Sequence, residues 1–83
     1  MNQNYPNPFN PLTTISYSLA EASFVRIDVF SMNGKLMGNL VNSNHNAGDF
    51  SFSYNGENLP TGVYMIRMQS GSFIQTRKMT LMK

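Results

Sequence analysis

Apolar and polar residues alternate along almost the whole chain. Period two marks strands with one buried face, and no segment holds the 3.6-residue period of an amphipathic helix. Ile15, Tyr17 and Leu19 share one face of residues 12–19. Val25, Ile27 and Val29 alternate with Arg26 and Asp28, a strand with Phe24 and Phe30 on its outer face or at its ends. Met32-Asn33-Gly34-Lys35 signals a hairpin, because Asn-Gly suits the positive φ values of a type I′ turn. Leu36, Met37, Leu40 and Val41 form the return strand, and their paired spacing predicts a bulge near Gly38. The Asn-rich run 42–48, closing on Gly48, reads as a loop. Phe50, Phe52 and Tyr54 alternate with Ser51 and Ser53, again a strand. Turn formers crowd residues 55–62, up to Gly62. Tyr64, Ile66 and Met68 share a face of the strand 63–69, with Arg67 opposite. Ser70-Gly71-Ser72 then turns the chain into a last strand, 73–82.

Short strands at a spacing of roughly 8–12 residues, separated by turn signals, mark a sandwich or barrel. The expected fold is all-β: an antiparallel β-sandwich of about seven short strands, in which two sheets let each strand bury one face.

One segment escapes the alternation. Tyr5-Pro6-Asn7-Pro8-Phe9-Asn10-Pro11 contains three of the four prolines of the chain. Each proline fixes its own φ and pushes the preceding residue toward extended backbone, so the run is neither helix nor central strand. It reads as a stiff strap leading into the first strand, pinned to the sandwich by Tyr5 and Phe9.

With 83 residues the chain makes one domain, in the size range where cores are thin. It has no cysteine and one histidine, His45, so no disulfide and no Cys/His zinc site supports that core. Aromatic, aliphatic and methionine side chains must do so. Phe24, Phe30, Phe50, Phe52, Tyr54, Tyr64 and Phe73 are read as core before platform, and Met65, Met68, Met79 and Met82 as gap fillers. No apolar run has the length of a membrane span, and the first residues lack a basic-then-apolar leader. The net charge of +2 is unevenly placed: residues 1–76 balance to −1, and Arg77, Lys78 and Lys83 add +3. Three charges in one tail make a poor nucleic-acid patch.

Reactive chemistry is sparse. Glu21, Asp49 and Glu57 fall in or beside turns, and Asp28 on the wet face of a strand. No two carboxylates share a segment, as a paired acid and base would require. His45 reads as a surface histidine in a polar loop, without nucleophile or orienting partner. Asp49, Asn55, Glu57 and Asn58 match no calcium-loop spacing. The expectation is a protein that is not an enzyme, with no catalytic residue, metal or cofactor.

The order of motifs resembles one family. Tyr5-Pro-Asn-Pro-Phe-Asn-Pro11 followed by Thr13-Thr14-Ile15-Ser16-Tyr17-Ser18-Leu19 is similar to the opening of type A C-terminal sorting domains of the type IX (Por) secretion system. Val25 to Leu36, with Asn33 and Gly34, looks like the strand and hairpin of that family. Ala47-Gly48 stands before the Phe50/Phe52/Tyr54 strand, and Leu59-Pro60-Thr61-Gly62-Val63-Tyr64 resembles its Leu-x-x-Gly-x-Tyr segment. Arg77-Lys78-Met79-Thr80-Leu81 with Lys83 resembles its basic-apolar ending. Phe30 departs from a commoner tyrosine, and Tyr54-Asn55-Gly56 from a common tryptophan and acid.

The resemblance implies an immunoglobulin-like β-sandwich that serves as a non-catalytic address tag on exported proteins of Bacteroidota and relatives. A passenger N-terminal to it crosses the periplasm. The outer-membrane secretion machinery then recognises the folded tag, a sortase-like protease removes it in many members, and the passenger is released or anchored at the cell surface. On this reading residues 1–4 are a linker remnant and 5–83 the sorting domain. Arg77, Lys78, Met79, Leu81 and Lys83 carry the signal. The alternative is an immunoglobulin-like adhesion or carbohydrate-binding module of a secreted protein.

Overall fold

A computed structural model describes residues 1, 3–8 and 11–82. Six strands form in chain order: β1 (Leu12–Leu19), β2 (Ser23–Ser31), β3 (Leu36–His45), β4 (Gly48–Asn55), β5 (Gly62–Ser70) and β6 (Phe73–Leu81). They build two antiparallel sheets, β1-β4 and β3-β2-β5-β6, and the described residues include no helix. The all-β sandwich expected from the alternation is the fold. About seven strands follow from the sequence pattern, and six form. Among its described residues the strap contributes a single bridge, Tyr5 to Thr14, since the proline at position 6 has no N–H with which to continue a ladder.

The alternation decides which faces meet. Ile15, Tyr17 and Leu19 of β1 lie against Val25 and Ile27 of β2 and Ile66 and Met68 of β5, all buried. Phe50, Phe52 and Tyr54 of β4 pack half-buried beside them. A second cluster joins Val29, Tyr64, Met79 and Leu81 under Met37, Leu40, Tyr54 and Leu59. Each fully buried side chain of this kind stabilises the fold by about 1.5–3 kcal/mol. Not every aromatic expected in the core goes there. Phe24 and Phe73 are about half exposed, and Phe30 is half-buried on the outer face of the larger sheet. Met68 and Met79 are core, whereas Met82 is exposed.

Three local readings change. The Asn-rich run is not a loop as far as His45: Asn42, Ser43 and Asn44 pair with Arg26, Val25 and Phe24 of β2. A polar sequence is tolerated there because β3 is an edge strand with one side open to water. The predicted bulge is real and double, with register shifts on both sides of Gly38. The β2–β3 turn is not type I′. Among the described residues no non-glycine has positive φ, so Asn33 cannot fill the first left-handed position, whereas Gly34 sits at φ +90°. The Gly34 amide bonds to the Ser31 carbonyl at 3.0 Å, and the Ser31 amide to the Lys35 carbonyl at 2.8 Å. That is a three-residue loop whose left-handed residue forms a bulge. The β5–β6 hairpin needs only Gly71 (φ +60°) and Ser72 between the paired Ser70 and Phe73.

Gly34→Val places a β-branched side chain at positive φ, at a cost of about 1–3 kcal/mol. The expected outcome is a thermal midpoint lower by roughly 5 °C or more, followed by circular dichroism. An unchanged midpoint would refute the assignment of this turn.

Candidate functional site

The β-pleat divides the predicted signal residues of β6. Met79 and Leu81 point inward and are 0% exposed. They cannot touch a partner while the domain is folded; they hold the strand in place. Lys78 lies on the opposite face, directly across from Met65 of β5. Arg77 stands on the same side as Met79, half-buried, and its guanidinium donates to the Thr76 carbonyl at 3.4 Å. Lys83 lies outside the described residues.

β6 is also an edge strand, and the strap caps part of that edge. The Gln3 amide donates to the Lys78 carbonyl at 2.6 Å. The Thr80 backbone N–H donates to Asn7 Oδ1 at 2.8 Å. On its other side the strap pairs with β1: Tyr5 and Thr14 exchange backbone hydrogen bonds of 3.0 and 2.8 Å. Between these contacts lies a closed polar knot. Buried Asn4 donates to Thr13 Oγ1 at 2.9 Å and to the Pro6 carbonyl at 3.1 Å, and Thr13 Oγ1 donates to the same carbonyl at 2.9 Å. The strap thus ties β1 of one sheet to β6 of the other. Among the described residues its pins are polar, and Tyr5, expected to be one of two aromatic pins, is 80% exposed. Phe9 and Asn10 lie outside the described residues. Asn4 bonds the backbone two residues on, as Asn side chains in turns habitually do, whereas nothing local in the sequence points to the Asn7–Thr80 bond.

The other motif residues are architectural. Gly48 (φ +144°) opens β4 where the chain crosses between sheets. Gly62 opens β5. Tyr64 is buried and its hydroxyl donates to the Pro60 carbonyl, a tyrosine corner of the sort found in immunoglobulin-like sandwiches. Pro11 accepts a 2.9 Å bond from the Gly56 amide, which anchors the end of the strap to the β4–β5 loop.

Two polar groups sit elsewhere than the sequence suggests. Asp28 is on the outer face yet only 1% exposed, because Arg26 and Asn39 cover it with hydrogen bonds of 2.8 and 2.7 Å. His45 ends β3 instead of lying in a loop. Its Nδ1 is 3.2 Å from the Ser43 carbonyl and its Nε2 2.9 Å from the Tyr17 hydroxyl. In a neutral ring that satisfies both contacts, Nδ1–H donates and Nε2 accepts from Tyr17. The histidine is thereby a latch between the two sheets, wedged edge-on against Phe50. Among the described residues no three of His, Asp and Glu gather to hold a metal ion.

What stands out is therefore a set of faces and edges held by a stiff frame: the geometry of a small recognition module. The family model for secretion system C-terminal sorting domains matches residues 3–82. The chain belongs to that family, and it is a C-terminal sorting signal for type IX secretion, directing export to the cell surface or beyond. No curated protein and no solved structure matches it. The adhesive or glycan-binding alternative finds no support in the family match.

Asn4→Ala leaves the buried Thr13 hydroxyl and the Pro6 carbonyl short of a partner, at a cost of about 1–2 kcal/mol. Amide exchange at Thr80, whose N–H is held by the strap, should accelerate in this variant; unchanged protection would separate the knot from the edge cap. Burial raises the Tyr17 hydroxyl above its ordinary pKa, and Tyr54 is raised by burial and then by Tyr64. The unfolded chain ionises first, so this stabilisation is complete below about pH 10 and is lost as pH rises through the folded values. The urea midpoint should fall as pH rises above about 10, less steeply in Tyr17→Phe.

Proposed function

We propose that the secretion machinery reads this domain as a folded object, with its last strand at the centre of what is read. The observation that carries the proposal is the split of β6. Met79 and Leu81 are locked into the core, so Lys78 and Arg77 are held at fixed positions on a strand that cannot shift without unfolding the domain. Lys83 adds charge at the end of the chain. The domain itself does no chemistry; it positions a passenger fused before it, which reaches the outer membrane through the periplasm. A sortase-like protease cuts upstream of the strap, since Tyr5 to Thr14 is bonded into the fold at several points and extended access there is blocked.

Removal of Lys78 to Lys83 takes away Leu81 as well as the charges, and the expected outcome is a reporter retained in the periplasm. The charge reversal Arg77→Glu with Lys78→Glu keeps the core and should also stop export, with the thermal midpoint little changed. Export of the double variant at the normal level, measured by cell fractionation, would overturn the role given to β6.

A further inference from the structure

The two outward faces of the sandwich differ in kind. On the smaller sheet, Leu12, Thr14, Ser16 and Ser18 of β1 and Asp49, Ser51, Ser53 and Asn55 of β4 face outward, a surface mostly of hydroxyls with the carboxylate of Asp49 at one end. The larger sheet presents rows that cross its strands. Leu36, Phe30, Met65 and Lys78 stand side by side in one row. Asn39, Asp28, Arg67 and Thr76 form the next. Cross-strand neighbours share a face, so these side chains make one surface.

That surface is apolar and basic together. Leu36 is 49% exposed and Met32, in the adjoining hairpin, 59%. Phe30 and Met65 floor a shallow depression of about 330 Å³ between Met32 and Arg67. The Arg67 guanidinium lies 4.6 Å from the centre of the Phe30 ring, which holds the cation at the rim of the depression. Lys78 ends the same row, and Lys35 is exposed in the turn beside Leu36. The only acid on these rows, Asp28, is buried and already bonded to Arg26 and Asn39. The face thus offers cations to a visitor and no accessible carboxylate. The strap meanwhile obstructs the Lys78–Thr80 part of the β6 edge, which leaves the face more open than the edge.

We propose that the outward face of the four-stranded sheet docks an extended protein segment bearing both carboxylates and apolar side chains. An apolar residue of the partner fills the depression over Phe30 and Met65, and its acids reach Arg67, Lys78 and Lys35. Charge complementarity selects an acidic partner, and the apolar floor selects a peptide over a purely charged polymer. The inference rests on the reading that the folded domain is recognised around β6, and it names the chemistry of what does the recognising.

The test uses a reporter fused to the whole chain in a bacterium with this secretion system. Leu36→Glu and Arg67→Glu should each lower export about tenfold, because a buried contact or a charge pair becomes a repulsion. Arg67→Lys should keep most of it. Ser51→Glu on the hydroxyl face should change nothing. Thermal midpoints of the isolated chain should stay within about 3 °C of the parent. If Arg67→Glu unfolds through loss of its contact with Phe30, exposed Lys35→Glu serves in its place. A photo-crosslinking residue in place of Met32 should join a peptide containing Asp or Glu among apolar residues. An adduct to lipid, to glycan, to a second copy of the chain or to a peptide without acids would overturn the proposal. Full export of Leu36→Glu and Lys35→Glu alongside loss in the Arg77→Glu/Lys78→Glu variant would also overturn it, while the reading of β6 stood. Full export of all of these variants would end both.

Discussion

A two-stranded sheet has to cover a four-stranded one. Ile15, Tyr17 and Leu19 reach Val25, Ile27, Ile66 and Met68, and that contact is the centre of the molecule. It is too narrow to close the sandwich alone. The remainder depends on pieces outside the ladders: Leu59 over the second cluster, the Tyr64 corner, the His45 latch, and the strap between β1 and β6. A small domain without disulfides has little free energy to spare. Turns and caps therefore matter here about as much as buried area.

The same shortage is visible in β6, where core residues and exposed charge share one strand. In β6 alternate residues serve two purposes. Met79 and Leu81 fill the core, and Lys78 between them faces out. A partner that reads Lys78 is thus also reading whether the core has formed. Under the role proposed for β6, the address is legible only on a folded domain, and the machinery would thereby distinguish a completed domain from an unfolded tail.

The strap gains a second meaning in this frame. Its prolines restrict the backbone of the strap, which bends at residues 6–8. By giving Gln3 and Asn7 to the backbone of β6, it also blunts an edge that would otherwise pair with stray strands. The β3 edge is managed differently, by two bulges and a polar run. Both edges of the larger sheet are thereby discouraged from casual pairing, and its outward face is left as the surface with most to offer.

Much of this was legible without coordinates, and what was not had a physical cause. Period-two alternation gave β1, β2, β4 and β5 nearly to the residue, because burial on one face leaves no freedom of register. Motif order pointed to the family. The polar end of β3 was illegible: Asn42 to Asn44 are strand only because β2 offers an open side to pair with. Asp28 looked solvated because a sequence does not reveal that Arg26 and Asn39 fold over it. Tyr5 looked like a pin because hydrophobicity is visible in a sequence, whereas the Asn7–Thr80 bond joins residues 73 apart and is not. The sequence by itself determined most of the strands, their main inward faces and where most turns fall, since these rest on local periodicity and backbone sterics. Only the tertiary structure decided which edge the strap caps and which cations share a face with Phe30 and Met65, since those depend on how distant strands are ordered in a sheet.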